Sequence, residues 1–227
     1  MFDRQVGHFA GRYSVITWDL PLHGKSKPYR DFSYANAASE LNAILEAEGI
    51  TQVFLVGMSL GGNVCQPFIE LFPEKVRAFV ALDTTPFGLQ YYSRSDLFWL
   101  RHSGTMLSWF PEKMLRDTII KGNALSDEGR LLMERMLSAY SKKEICDLTG
   151  MTFRVFVGEN HDIELTCPVL IIVGEKDRSG KVLEYSRVWA AKNNYPIEIV
   201  ADAAHLSHVD NWQEVNRLIE RFIDQHR

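Results

Sequence analysis

The sequence predicts an α/β fold built on a mostly parallel, doubly wound sheet, and three observations support this prediction. Short apolar runs of strand length alternate with longer helical patterns in the first 86 residues. The same alternation returns after residue 165. Between these two parts the strand pattern is lost, and helical stretches rich in Leu, Met, Trp and Tyr follow one another. Repeated strand and helix units favour a parallel sheet that is covered on both faces.

The first part contains three predicted strands. Residues 13–18 are β-branched and aromatic and stop at a proline-containing loop, which is typical of a buried strand. Ser33 can cap the helix that follows. Residues 53–56 are four consecutive apolar residues, too few for a helix, and predict a strand buried on both faces. A helix from about Gly61 then leads to a third strand at 76–82.

The second part completes the predicted sheet. Strands are predicted at 169–173 and 197–200, and an amphipathic helix ends the chain. We therefore expect a core formed by residues 1–86 and 166–227 and a helical cap formed by residues 87–165.

Composition favours a small-molecule partner. The chain has 227 residues, of which 46% are hydrophobic and 24% charged, with a net charge of −4. Without long single-sign runs, this gives no electrostatic signal for nucleic acid or an anionic membrane.

Cys65, Cys146 and Cys167 match neither a disulfide framework nor a zinc site. No signal peptide and no membrane-spanning run is recognisable, so we expect a cytoplasmic protein. The oligomeric state stays open.

The strongest motif is Gly-Met-Ser-Leu-Gly at residues 57–61, between a predicted strand and a predicted helix. That context is typical of a nucleophile elbow, a sharp turn that exposes the serine hydroxyl at the carboxyl edge of a sheet. We therefore predict Ser59 as a nucleophile and the N–H of Leu60 as an oxyanion donor. The alternative is a glycine-bounded turn with an incidental serine.

A serine hydroxyl needs a base within hydrogen-bond reach, and histidine suits that task. His205 follows the last predicted strand and precedes the final helix, on the same sheet edge as Ser59. His208 is the nearby alternative, which we expect to be solvated or to cap a helix. Asp177 follows the strand at 169–173 and is predicted to orient His205. Asp83, at the end of an earlier strand, is the alternative acid.

These residues, together with residues 18–26 and Ala204-His205, resemble the α/β-hydrolase fold superfamily, especially its lidded esterases, lactonases and carbon–carbon bond hydrolases. The resemblance implies a structural role for His23. It also implies N-terminal strands and a His-Gly oxyanion loop that are not found before residue 13, and His8 does not fit that loop. We therefore expect an N-terminally shortened version of this fold that lacks a central strand and the second oxyanion donor; the alternative is a sheet that closes in a way not typical of the family.

The sequence predicts a serine hydrolase that cleaves a small carboxylic ester through an acyl-enzyme, without a metal or organic cofactor. A lactonase or a carbon–carbon bond hydrolase with the same triad is an alternative, as is a ligand-binding protein that hydrolyses slowly or not at all. Aromatic residues in the predicted cap suggest a pocket for an apolar or aromatic acyl group. The candidate substrate-binding residues are Met58, Phe87, Trp99 and Trp109. The alternative is that such residues hold the cap to the core.

Overall fold

A computed structural model describes all residues, 1–227. The helices and strands are, in chain order, α1 (Asp3–Phe9), α2 (Tyr34–Ala47), β1 (Val53–Met58), α3 (Leu60–Leu71), β2 (Val76–Leu82), α4 (Arg94–Ser108), α5 (Glu112–Asn123), α6 (Asp127–Ser138), α7 (Lys142–Glu159), β3 (Val169–Gly174), α8 (Val182–Asn193), β4 (Ile197–Val200), α9 (Ser207–Asp210) and α10 (Trp212–Gln225). None of these helices is both long enough and apolar enough to cross a membrane.

The four strands form one parallel sheet in the order β1-β2-β3-β4. The register pairs Gly57 with Ala81, Leu82 with Ile172, and Gly174 with Val200. The carboxyl ends of all four strands therefore lie at one edge of the sheet. β3 is buried along its whole length, as its uninterrupted apolar sequence predicts for a strand covered on both faces.

Helices cover both faces of the sheet. On one face, α10 packs against side chains of β2 and β3. On the other face, the strands contact α2, α3 and α8. The amphipathic pattern of α10 explains its position, because its apolar residues are buried in this core: Val215, Leu218, Ile219, Phe222 and Ile223. The predicted doubly wound α/β fold is confirmed.

The prediction of a strand at residues 13–18 is wrong, because this segment has no regular secondary structure. β1 has a hydrogen-bonded neighbour only on its β2 side, so the sheet begins at β1. Val15 and Ile16 are both exposed, while Trp18 packs against the apolar core. β-branched residues favour a pleated surface, but a strand forms only where a neighbour supplies its hydrogen bonds.

Between β2 and β3 the chain forms four helices, α4 to α7, which we call the helical segment. Its α4 and α7 helices approach closely at two glycines. A Cβ atom on Gly104 would lie 2.5 Å from the carbonyl oxygen of Cys146 and 2.7 Å from the Cα of Gly150. Side chains at this crossing would force the two helices apart.

Candidate active site

Ser59 occupies the turn between β1 and α3. Its backbone has φ 50° and ψ −120°, a conformation that non-glycine residues rarely adopt. Its N–H donates to the carbonyl oxygen of Leu82 at 3.0 Å, which fixes the turn to the end of β2. This is the strained strand-to-helix geometry that the motif predicts.

The close packing around this turn depends on two glycines. A Cβ atom on Gly57 would lie 2.6 Å from the Cα of Gly62, and one on Gly62 would lie 2.5 Å from Cγ2 of Thr84. A Cβ atom on Gly61 would meet nothing within 4 Å. The steric requirement for glycine around this turn therefore lies at Gly57 and Gly62 and does not extend to Gly61.

Ser59, His205 and Asp177 are connected by hydrogen bonds. Nε2 of His205 lies 3.0 Å from Oγ of Ser59, and Nδ1 lies 2.8 Å from Oδ2 of Asp177. The second carboxylate oxygen of Asp177 accepts the N–H of Ser179 at 2.7 Å. Because an ionised carboxylate only accepts hydrogen bonds, Nδ1 carries the proton and Nε2 is free to accept from the serine hydroxyl. The structure thus brings the three predicted residues together.

The protonation of His205 is controlled by two opposing effects. Only 5% of His205 and 9% of Asp177 is exposed. Burial by itself would lower the pKa of His205, but the hydrogen bond and the charge of Asp177, with the charge of Asp83, outweigh burial and raise this pKa above 6.5. Asp177 therefore stabilises the imidazolium form that appears when His205 takes a proton.

Asp83 follows β2 at the same edge, but it contacts the neighbouring backbone instead of His205. One carboxylate oxygen accepts the N–H of Gly174 at 2.8 Å, and the other accepts the N–H of Ser207 at 3.2 Å and its hydroxyl. The side chain is completely buried, and burial raises the pKa of Asp83 to about 7. Of the two candidate acids, Asp177 is the one within hydrogen-bond distance of His205.

His208 is neither solvated nor hydrogen-bonded to a helix end, so the expectation that it is solvated or caps a helix is wrong. It lies within α9, is completely buried and has no hydrogen-bond partner for either ring nitrogen. Its ring stacks on Phe2, which directly precedes α1, with centroids 4.9 Å apart. Burial, with the nearby positive groups, lowers the pKa of His208 to about 3. The expectation fails because Phe2, near the start of the chain, packs on this ring, a contact that the sequence around His208 does not indicate.

The predicted oxyanion donor lies at the start of α3. Leu60 is the first residue of that helix, and the first helical hydrogen bond runs from the N–H of Asn63 to the carbonyl oxygen of Ser59 at 3.2 Å. The N–H groups of residues 60–62 therefore have no acceptor within the helix. With the helix dipole they favour negative charge beside Ser59.

The four candidate substrate-binding residues lie in different environments. Met58 is buried in the core beneath the sheet edge. Phe87 is buried against Tyr34 and Phe156, with ring centroids 5.4 and 5.0 Å away, so it joins the helical segment to α2. Trp99 and Trp109 are 53% and 77% exposed on the helical segment.

His23 and His8, for which the sequence predicts no catalytic role, lie apart from the site. Nδ1 of His23 lies 3.0 Å from the carbonyl oxygen of Pro21, within its own loop, in agreement with a structural role. His8 lies in α1, near Glu220 of α10.

Comparisons with known proteins agree with this architecture. A family model described as the alpha/beta hydrolase family matches residues 1–218. The uncharacterized hydrolase YugF of Bacillus subtilis is 24% identical over 98% of this chain and 84% of its own length.

Two solved structures are also similar over the whole chain. A thermophilic esterase from Thermogutta terrifontis has a TM-score of 0.79 and 18% identity over 100% of this chain and 85% of its own. A meta-cleavage product hydrolase from Pseudomonas fluorescens has a TM-score of 0.78 and 16% identity over 100% of this chain and 85% of its own. Because the family model matches residues 1–218, the chain belongs to the alpha/beta hydrolase family.

Proposed function

We propose that this protein is a serine hydrolase that cleaves a small carboxylic ester through an acyl-enzyme intermediate. The observation that carries the proposal is the continuous set of hydrogen bonds from Oγ of Ser59 through His205 to Asp177. Nucleophile, base and orienting acid are the three parts that acyl transfer to serine requires.

In the first half of the proposed reaction, Oγ of Ser59 attacks the ester carbonyl carbon while Nε2 of His205 takes the hydroxyl proton. The negative charge on the former carbonyl oxygen is stabilised by the N–H of Leu60 at the start of α3. The carbon–oxygen bond to the alcohol then breaks, and His205 gives the proton to the departing oxygen. The products of this half are the free alcohol and acylated Ser59.

In the second half, water attacks the acyl carbon. His205 takes a proton from that water, and the second tetrahedral intermediate collapses to release the carboxylic acid. The proton on Nε2 returns to Oγ of Ser59. Asp177 stays ionised throughout, because its function is to hold Nδ1 and to stabilise the imidazolium.

The acyl group is proposed to be apolar or aromatic, and the helical segment is proposed to act as a cap over the site. Two features of the sequence support an apolar or aromatic acyl group. The segment is rich in aromatic residues, including Trp99 and Trp109. The modest net charge of −4, without single-sign runs, gives no reason to expect a highly charged substrate.

The test is steady-state hydrolysis of p-nitrophenyl acetate, butyrate and octanoate by the purified chain. Ser59→Ala should reduce turnover by on the order of 10⁴-fold or more, to near the blank rate. Ser39→Ala, at an exposed position of α2, is the matched control and should retain wild-type turnover. A folded wild type that cleaves none of these esters, but cleaves a lactone or a vinylogous diketone, would replace the ester proposal with one of the alternatives.

A further inference from the structure

Asp210, the last residue of α9, accepts hydrogen bonds from a distant turn of the chain and from the nearby loop that precedes α9. Its carboxylate accepts the N–H of Leu125 at 3.0 and 3.1 Å, the N–H of Ser126 at 2.9 Å and the hydroxyl of Ser126 at 2.7 Å. It also accepts the N–H of Ala204 at 3.0 Å. No step of the proposed reaction uses this carboxylate.

The first set of donors belongs to the helical segment. Leu125 and Ser126 form the turn between α5 and α6, and Ser126 is the residue that caps α6. A carboxylate at the start of a helix is stabilised by the helix dipole. α6 also packs directly on this carboxylate, because a Cβ atom on Gly129 would lie 3.0 Å from Oδ1 of Asp210.

The remaining donor belongs to the loop that carries His205. Ala204 directly precedes this histidine. On its other side, the N–H of Leu206 donates to the carbonyl oxygen of Asn123 at 2.8 Å, in the same part of the helical segment. The residues on both sides of His205 are therefore bonded to the α5–α6 turn, one through Asp210 and one directly.

We propose that Asp210 is a positioning residue that ties the α5–α6 turn to the loop of His205, so that the alignment of His205 with Ser59 depends on where the helical segment lies. The inference rests on the proposed function. It assigns to α5 and α6 a part in proton transfer, in addition to covering the site. The competing explanation is that Asp210 only anchors the helical segment and leaves His205 unaffected.

Asp210→Asn is the most informative variant because it keeps the shape of the side chain. Both carboxylate oxygens accept hydrogen bonds from N–H groups, whereas asparagine has one acceptor oxygen and an amide group that donates. One side of the bridge must therefore break. Displacement of a catalytic group by about 1 Å can cost about 100-fold in rate.

Glu128→Gln is the matched control. Glu128 lies in the same first turn of α6 and pairs with Arg4 of α1 at 2.8 Å, so it also joins the helical segment to the rest of the protein. This pair is exposed and does not involve the His205 loop. Glu128→Gln therefore shows the effect of losing a surface contact between the helical segment and the rest of the protein. Any additional effect of Asp210→Asn is due to loss of the contacts of Asp210.

The measurement compares the labelling rate of Ser59 by a small fluorophosphonate with the kcat and KM for p-nitrophenyl acetate and octanoate. The proposal predicts that Asp210→Asn lowers the labelling rate and both kcat values by a similar factor of about 10- to 100-fold, with KM changing less than threefold. Glu128→Gln should stay within twofold of wild type. Unchanged labelling together with a raised KM for octanoate alone would overturn the proposal and favour simple anchoring.

Two further comparisons complete the test. Ser126→Ala removes one donor to Asp210, and it should lower labelling in the same direction by two- to fivefold even if Asp210→Asn does not fold; unchanged labelling in this variant would overturn the proposal. A wild type that is folded but unlabelled would instead refute the proposed function itself. If the wild type is labelled and Asp210→Asn is labelled at the same rate, only the proposed role of Asp210 is refuted.

Discussion

Nδ1 of His205 lies 2.8 Å from Oδ2 of Asp177, and both side chains are almost completely removed from water. Burial opposes a positive charge on the imidazole, while the carboxylate favours it, and the carboxylate prevails. This balance makes the pair sensitive to any change in the acid.

The first prediction concerns the pH dependence of hydrolysis. In the proposed reaction His205 acts as a base only when neutral, and its pKa is raised, so kcat/KM should increase with pH through a value above 6.5. Asp177→Asn removes the main cause that raises the pKa and leaves burial in place, so the midpoint should move to lower pH. Its kcat should also fall on the order of 10³- to 10⁴-fold. Steady-state kinetics from pH 5 to 9 measure both effects, and an unchanged midpoint would contradict this account.

The second prediction concerns Asp83, whose pKa in the folded chain is raised from 3.8 to about 7. Between these values the folded protein retains a proton that the unfolded chain has released, so Asp83 contributes stability in acid that is lost as pH rises. Asp83→Asn should be less stable than wild type by about 1–3 kcal/mol in acid, because the NH2 group of the amide cannot accept a backbone N–H, whereas both oxygens of the protonated acid can. The difference should shrink toward pH 7. Urea unfolding of both proteins at pH 4.5, 6 and 7.5 tests this, and a constant difference would refute it.

The third prediction concerns His208, whose pKa is lowered from 6.5 to about 3. In this window the unfolded chain binds a proton that the folded chain does not, so the stability that neutral His208 contributes is present above pH 6.5 and is lost as pH falls. His208→Leu removes this dependence and leaves no unpaired ring nitrogen. The variant should gain stability relative to wild type between pH 6.5 and 4. Thermal unfolding in that range is the measurement, and parallel curves would show that His208 is not protonated on unfolding.

The fourth prediction concerns the turn at Ser59. Gly62→Ala would place a Cβ atom 2.5 Å from Thr84 and should destabilise the protein by about 1–3 kcal/mol through overpacking. Gly61→Ala meets no atom within 4 Å and lies in α3, so its unfolding free energy should change by less than about 1 kcal/mol. Chemical denaturation of the two variants gives the comparison. Equal losses would show that the steric account of this turn is incorrect.

Much of the fold could be predicted because the inner strands of the sheet are apolar over most of their length. The strands predicted at 76–82 and 197–200 have the observed bounds, and the run at 53–56 extends only to Met58. Residues 13–18 are also rich in β-branched and aromatic residues, but no neighbouring strand pairs with them. Strand propensity does not reveal whether such a neighbour is present. Local pattern therefore predicts strands well only where the neighbouring strand is present.

The candidate site was predictable for a topological reason. In a parallel sheet, residues that follow different strands meet at one edge, so Ser59, Asp177 and His205 could be placed together from their positions after strands. Asp210 was missed because its partners Leu125 and Ser126 are 85 and 84 residues away, in a turn between two helices whose position relative to α9 the sequence does not specify. Likewise, the burial of His208 depends on a contact with Phe2, at the opposite end of the chain.

Covalent labelling is the most direct measurement of whether Ser59 is an activated nucleophile. The wild type and Ser59→Ala would be incubated with a fluorophosphonate, and the adduct located by peptide mass spectrometry. We predict one adduct per wild-type chain, located on Ser59, and no adduct on Ser59→Ala. A wild type that is folded by circular dichroism but carries no adduct, or carries it on another residue, would contradict the account.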